Sequence, residues 1–270
     1  MLGLLLIKWL TTALIVIGVS VAVMRLGPKL GGVLAGTPIV LAPGYFFMLQ
    51  EQSATFVADA ALGTLHAMLA TLAFCLGYVL LAAHRGATLS GVLAALLWLP
   101  VAALAGLMPG GLGLALVVFL SSHCLALRFT RGLGLACALS VSPPRWGDLV
   151  VRGALAGTIV CLATVVLDDI APSVSGIALS FPIGMLTIAL TLHQRYGAEV
   201  ARATLAATQL GMLSLVAFSA VMVMSVQLLP WGYAFAASLI ASVGVSYMLW
   251  GFQQLKITDF YKNNFRLFER

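Results

Sequence analysis

The chain of 270 residues is 62% hydrophobic and 8% charged, whereas an ordinary soluble domain carries roughly 25% charged residues. This composition excludes a water-soluble globular protein, because no segment between the apolar stretches is polar and long enough to enclose a separate core. Apolar runs this long, without alternation of polar and apolar residues, also exclude a membrane β-barrel. We therefore predict an all-α polytopic membrane protein.

Nine apolar stretches follow one another along the chain, and each is close to the roughly 20 residues that a helix needs to cross a bilayer. The first is expected to be retained, because no basic residue precedes it and Lys8 lies inside it. Lys8 and Arg152 are expected to extend their charged ends to the membrane surface. The nine predicted spans are residues 3–24, 30–49, 56–82, 88–108, 111–128, 149–167, 174–193, 200–226 and 231–252.

Charge separates cleanly when the ends of the nine spans are assigned to alternate sides of the membrane. One side receives every basic residue except Lys8, and the other receives Glu51, Asp59, Asp168 and Asp169. Because basic loops remain in the cytoplasm, the N-terminus is predicted outside and the C-terminus inside. The net charge of +6 is therefore an insertion signal and not evidence for a nucleic-acid partner.

The chain also matches itself at an offset of 144 residues, without a gap, over about 100 positions. The shift equals five spans, an odd number, so the two halves would enter the membrane in opposite senses, as in the inverted repeats of many transporters. We predict a first repeat (1–108), a linker with the fifth span (109–147), an inverted second repeat (148–252) and a basic, aromatic cytoplasmic tail (253–270). Matched pairs include Lys8 with Arg152, Pro28 with Pro172, Pro38 with Pro182, Gln50 with Gln194 and Thr64 with Thr208.

Three segments of the second half carry a resemblance to a known family. Residues 175–182 read Ser-Gly-Ile-Ala-Leu-Ser-Phe-Pro, residues 195–204 read Arg-Tyr-Gly-Ala-Glu-Val-Ala-Arg-Ala-Thr, and Leu-Pro follows at 229–230. They resemble the small four-helix GlpM-like membrane proteins, and residues 31–38 extend the resemblance weakly to the first half. The resemblance implies a fused antiparallel pair of such proteins, in which the fifth span has no counterpart. It gives no functional residues to carry over.

The paired prolines indicate where a site would lie. Pro38 and Pro182 each lie about 14 Å into their span, close to the middle of a hydrocarbon core about 30 Å thick. Each proline removes an intrahelical hydrogen bond, and a second break is expected at Pro43-Gly44. Paired interruptions in inverted halves indicate a substrate site at the midplane; the alternative is a packing kink, which membrane helices tolerate.

Polar residues of the third span add to this candidate site. Thr55, Asp59 and His66 share one helix face, with Asp59 near the outer surface and His66 near the midplane. A histidine at that depth suggests a substrate contact or, together with Asp59, a proton step; the alternative is a neutral histidine bonded to a backbone carbonyl. If the third and eighth spans face each other, Thr64, His66, Thr208 and Gln209 would converge.

Known catalytic and cofactor motifs are absent from the sequence. It has no phosphate-binding loop, dinucleotide glycine pattern, zinc spacing or haem motif, so no cofactor or metal is expected. Ser121, Ser122 and His123 are adjacent on a helix and diverge, which argues against a nucleophile with its base and against an enzyme.

Two functions fit these observations. The first is a transporter or exporter of a small neutral, anionic or lipid-like solute in a bacterial cytoplasmic membrane, because no midplane carboxylate is available to drive cation exchange. The alternative is a non-transporting accessory or scaffold subunit of an envelope-assembly system. Besides the lipid bilayer and the unknown small-molecule or lipid-like substrate, no partner is predicted, and the chain is expected to work as a monomer or homodimer.

Overall fold

The computed structural model describes residues 2–25, 38–135, 145–166 and 171–265, and these parts contain helices and no strand. A π-helical turn, Leu162–Val166, directly follows the helix Trp146–Cys161. The helices are α1 (Leu2–Arg25), α2 (Leu41–Glu51), α3 (Ala54–Leu81), α4 (Ala87–Gly106), α5 (Leu112–Gly132), α6 (Trp146–Cys161), α7 (Pro172–Leu179), α8 (Ile183–Tyr196), α9 (Ala198–Ser225) and α10 (Trp231–Phe265).

Eight helical segments of the described chain are long and apolar enough to cross a membrane, with α7 and α8 together forming one of them. The prediction of a multi-pass, all-helical membrane protein is therefore confirmed. The remaining predicted span, 30–49, falls partly on residues outside the described ranges, and its second part contains α2. The count of nine spans, the orientation and the inverted repeat remain predictions.

Helices α1 and α6, which the offset of 144 residues pairs with each other, pack side by side in antiparallel directions. The Cys161 thiol donates to the Leu5 carbonyl, and Gly157 and Gly153 lie against the backbone carbonyls of Trp9 and Ala13. A Cβ atom at Gly157 would lie 2.7 Å from the Trp9 oxygen. Small residues spaced four apart permit this close approach of two helices in a membrane.

Helix α3 is the central helix of the fold. Of its most apolar window, 72% is buried, against 17–44% for the other seven candidate spans. It runs parallel to the interrupted pair α7 and α8, because hydrogen bonds join Thr64 to Gly176 and Tyr78 to Ala189. Helix α9, its partner under the repeat, also packs against it.

The sequence predicts three helix interruptions: the one at Pro182 is confirmed, the one at Pro43-Gly44 is wrong, and the one at Pro38 adjoins residues outside the described ranges and remains a prediction. Helix α7 ends at Leu179 and α8 begins at Ile183, with Pro182 as the residue before its first turn. In contrast, α2 continues through Pro43 without a break. Pro43 is the third residue of α2, where the backbone N–H of any residue would lack an intrahelical partner, so a proline costs little there.

The expectation that Lys8 reaches the membrane surface is also wrong. Its side chain is 1% exposed and forms an ion pair with Glu51 at the C-terminal end of α2. The Lys8 Nζ atom lies 3.4 Å from the carbonyl and hydroxyl oxygens of Thr164 and 5.9 Å from the centre of the Phe47 ring. The ammonium is held by partners inside the protein and does not extend into the interface.

Candidate functional site

A cavity of about 430 Å³ lies between α1, α3, α6, α8 and α9, at the interrupted segments. Pro38 and Pro182 both line it, and so do Leu41 and Ile183, the first residues of α2 and α8. Its volume is within the range of small-molecule sites, roughly 300–1,000 Å³. The two prolines that the sequence pairs at an offset of 144 residues therefore meet at one cavity.

The cavity wall is mainly apolar, with a minority of polar groups. Methionine, leucine, isoleucine and phenylalanine side chains provide the apolar part, and hydroxyl groups and two arginines provide the polar part. The apolar lining includes Met68, Leu179, Phe181, Met185, Ile188 and Leu215; the polar lining includes Ser20, Thr71, Arg152, Thr191, Arg195, Thr204 and Thr208.

Arg152 reaches from the second turn of α6 across to α8. Its Nε atom donates to the Thr187 hydroxyl at 3.1 Å, and that hydroxyl donates in turn to the carbonyls of Ile183 and Gly184. The described residues offer no hydrogen-bond partner to the two terminal nitrogens of Arg152. The expectation that Arg152 extends to the membrane surface is therefore wrong, because its guanidinium lines the cavity.

Arg195 lines the cavity near the end of α8. Its Nη2 atom lies 2.6 Å from a carboxylate oxygen of Asp148, and that carboxylate also accepts the backbone N–H of Arg145 at 3.1 Å, which caps α6. Asp148 is thus the anionic partner of Arg195 and also lies near Arg152. Among the described residues, two guanidinium groups and one carboxylate leave this end of the cavity with one unmatched positive charge.

The helix ends at the cavity are not electrostatically balanced. Side chains satisfy carbonyls at the end of α7: Thr64 donates to Gly176 at 2.7 Å, Ser180 to Ile177 at 2.6 Å, and Thr71 to Ser180 at 3.1 Å. The first turn of α8, in contrast, begins at the cavity wall, and its Gly184 and Met185 N–H groups have no hydrogen-bond partner among the described residues, which leaves partial positive charge there. Helix α2 contributes less, because the Ala42 N–H bonds the Pro38 carbonyl at 2.8 Å and Pro43 has no N–H. Gly184, in the first turn of α8, lines the cavity and has open space around it.

Trp98 of α4 fixes the interruption between α7 and α8. Its indole nitrogen donates to the Thr71 hydroxyl at 3.3 Å, and its ring meets the Phe181 ring edge to face, with 5.0 Å between centres. Thr71 and Phe181 both line the cavity. Two residues of the cavity wall therefore contact a buried tryptophan directly.

The structure divides the residues that the sequence assigned to the site. Pro38, Pro182 and Thr208 line the cavity, and the Thr208 hydroxyl bonds back to Thr204 at 2.7 Å. The other four lie elsewhere. Thr64 forms hydrogen bonds with Tyr45 and Gly176, and Asp59 is exposed. His66 and Gln209 are buried, and each has side-chain polar atoms without a partner among the described residues.

Sequence reasoning missed the two arginines. Arg152 was interpreted as a surface-seeking residue and Arg195 as an insertion signal, since each lies near a predicted span end. The internal repeat could have indicated these two residues. Arg152 and Arg195 correspond to Lys8 and Glu51, so the same two helix positions carry charge in both halves.

Outside the cavity, the described residues offer little reactive chemistry. No three His, Cys, Asp or Glu side chains among them lie close enough together to hold a metal ion. The Ser121 hydroxyl donates to the carbonyls of Val117 and Val118 in its own helix at 2.8 and 3.0 Å. Such back-bonding is ordinary for a serine within a membrane helix.

No protein-family model, no curated protein and no solved structure matches this chain. The similarity to GlpM-like proteins therefore remains a prediction from the residues at 175–182 and 195–204. A function has to be inferred from the cavity and from the groups that line it.

Proposed function

We propose that this chain is a transporter or exporter of a bacterial cytoplasmic membrane, which moves a small neutral, anionic or lipid-like solute by alternating movement of two inverted halves. The observation that carries the proposal is the meeting of Pro38 and Pro182 at one cavity. Interrupted helices that meet near the midplane form the substrate sites of inverted-repeat transporters. The chain is not proposed to be an enzyme.

The described conformation corresponds, in this proposal, to a state that faces the cytoplasm. With the basic loops in the cytoplasm, the cavity extends toward that side, because Tyr196 at the end of α8 lines it and is 39% exposed. Toward the outer side, α3 and α7 are in close contact at Gly63 and Ser173, and Lys8 pairs with Glu51. In this proposal, the described residues close the outer path and leave the inner one open.

The repeat predicts the alternative state. Thr64 corresponds to Thr208, so an outward-facing conformation would place Thr64 at the cavity wall in its turn. We expect Thr208→Cys to react with a membrane-impermeant thiol reagent from the cytoplasmic side and Thr64→Cys from the outer side. The measurement uses inverted and right-side-out vesicles, in a background where the four native cysteines are replaced by serine.

Thr158→Cys is the control for this experiment, because Thr158 lies on the exposed face of α6, away from the cavity. In the membrane that face contacts lipid, so we expect no reaction from either side. Access to Thr208→Cys from one side and to Thr64→Cys from the other distinguishes the transporter from the accessory subunit. A non-transporting scaffold needs no second state, so an unreactive Thr64→Cys would favour the scaffold.

Blocking the cavity is a second test. Gly184 lines the cavity and Gly244 lies on the exposed face of α10, and neither would bring a Cβ atom within 4 Å of a neighbour. Gly184→Phe fills the cavity, whereas Gly244→Phe adds the same side chain away from it. In proteoliposomes loaded with neutral, anionic and lipid-like solutes, we expect flux with the wild type and Gly244→Phe, and none with Gly184→Phe.

A further inference from the structure

We propose that the cavity binds an amphipathic anion: an apolar chain or ring that carries one negative charge on a carboxylate or phosphodiester group. The inference rests on the proposed function in treating this anion as the transported solute, but the binding site can be tested without transport. It narrows the three solute classes above to one.

The charges at the cavity favour an anion. Arg152 and Arg195 line the cavity, and Asp148 supplies one carboxylate to the pair. Among the described residues, Arg152 has a hydrogen-bond partner only for its Nε atom. Its two terminal nitrogens can therefore donate to an oxyanion, and a planar guanidinium presents such donors side by side. One unmatched positive charge calls for one negative charge on the ligand.

Helix α8 begins at the cavity, at Ile183. The Gly184 and Met185 N–H groups of its first turn have no partner among the described residues, and such groups at a helix N-terminus carry partial positive charge and favour anions. The opposing C-terminal end of α7 has carbonyls occupied by Thr64, Thr71 and Ser180. The electrostatic potential at the interruption is therefore positive, and the charge of Arg152 adds to it.

The apolar wall of the cavity favours a ligand with an apolar part. Met68, Phe181, Met185, Ile188 and Leu215 form a surface that water solvates poorly, and no acidic side chain is among the described lining residues. A fully hydrated small anion gains nothing from this surface, whereas an alkyl chain or ring does. A cation would meet two arginines without a carboxylate directed into the cavity. The wall and the charges together select an amphipathic anion.

Trp98 provides the readout, because it contacts Thr71 and Phe181 of the cavity wall. We would replace the other four tryptophans by phenylalanine, place the protein in lipid nanodiscs and titrate four probes while recording Trp98 fluorescence. The probes are decanoate, dihexanoylphosphatidylglycerol, decanol and decyltrimethylammonium. We expect saturable binding of one or both anions, and their relative affinity identifies the headgroup. Decanol and the ammonium should bind at least about 10-fold more weakly.

Substitution of the arginine gives the matched comparison. Arg152→Gln should weaken anion binding by about 10-fold to 100-fold, as expected for loss of a charged hydrogen-bond donor. Arg152→Lys, which keeps the charge, should retain part of the affinity. Arg128→Gln is the control, because it removes one positive charge from an exposed position of α5 outside the cavity, and it should bind like the wild type.

Three results would overturn the anion site: no saturable binding of either anion, equal binding of decanol or the ammonium, or unchanged affinity in Arg152→Gln. Failure of the transporter proposal would look different. Anion binding that depends on Arg152, combined with an unreactive Thr64→Cys, would retain the site and remove transport. Reaction of Thr208→Cys from the cytoplasmic side and of Thr64→Cys from the outer side, without saturable anion binding, would retain the transporter proposal and remove the anion site.

Discussion

The ammonium of Lys8 and the carboxylate of Glu51 form an ion pair that joins α1 to the end of α2. The residues at the same positions 144 residues later are Arg152 and Arg195, both of which line the cavity. One half thus carries a pair of opposite charges in contact, and the other carries two like charges beside an open volume. This difference between corresponding positions lies in the sequence, so the two halves differ in their electrostatics in any conformation.

Breaking the Lys8–Glu51 pair should have unequal consequences for the two partners. Lys8 is 1% exposed and Glu51 32% exposed, so only the ammonium depends on the pair for its charge stabilisation. Glu51→Gln leaves that ammonium uncompensated and should lower the free energy of unfolding by about 3 kcal/mol. Lys8→Met, which removes the buried charge itself, should lower the free energy of unfolding by less. Thermal unfolding in detergent measures both.

The double variant Lys8→Met with Glu51→Gln completes this test. It should recover most of the stability that Glu51→Gln loses, because no buried charge remains. It should also raise the outer-side reactivity of Thr64→Cys, since the pair holds the outer path closed in the proposed mechanism. Equal stability of the two single variants would contradict the buried-charge argument, and unchanged reactivity of Thr64→Cys would show that the pair does not hold the outer path closed.

Substitution of Asp148 should change the affinity of the cavity for an anion in a predictable direction. Its carboxylate neutralises Arg195 at 2.6 Å, so Asp148→Asn would leave the cavity with two unmatched positive charges instead of one. Decanoate should then bind more tightly, by several-fold, and the affinity should fall more steeply with added salt. The amide oxygen of the new side chain can still accept the Arg145 N–H, which preserves the cap of α6. Weaker binding in this variant would indicate that Asp148 positions Arg195 and that net charge is secondary.

Sequence patterns predicted the elements of the fold and only part of the site. Composition and span length predict the helices, since an apolar helix of about 20 residues has few alternatives. The interruption at Pro182 follows from the loss of an N–H group. Pro43 was misjudged because the effect of a proline depends on its distance from the helix start, and that start lies after Pro38, inside the predicted span.

The charged residues were harder to place from the sequence. Whether Lys8 seeks the membrane surface or the interior depends on Glu51, which lies 43 residues away along the chain. The orientation of Arg152 depends on Thr187, which lies 35 residues away. Neither partner is visible in local hydrophobicity. Only the repeat, which aligns these positions in two copies, carries information about them in the sequence.

Close contact between α3 and α7 should make Gly176 intolerant of any side chain. A Cβ atom there would overlap the carbonyl oxygen of Ala60, and neither backbone can yield without separating the two helices. We expect Gly176→Ala to destabilise the protein by about 3 kcal/mol through overpacking. Gly244→Ala, at an open position of α10, should be neutral or stabilising. If both variants unfold at the same temperature, the α3–α7 contact is not tight in solution.

Substitution of His66 tests whether a proton step contributes to transport separately from solute binding in the cavity. Its side chain is 6% exposed, lies outside the described cavity lining, and its Nε2 atom has no hydrogen-bond partner among the described residues. Replacing it with leucine removes an unsatisfied polar atom, so we expect His66→Leu to be at least as stable as the wild type. Decanoate binding and the cytoplasmic-side reactivity of Thr208→Cys should also persist.

A proton step through Asp59 and His66 predicts a different result for the same variant. Solute binding would persist in His66→Leu, but a pH gradient across the vesicle would no longer drive solute flux. The Asp59→Asn variant would show the same defect. Loss of flux in both variants, with Arg152-dependent binding intact, would add His66 to the mechanism as a coupling residue distinct from the solute site.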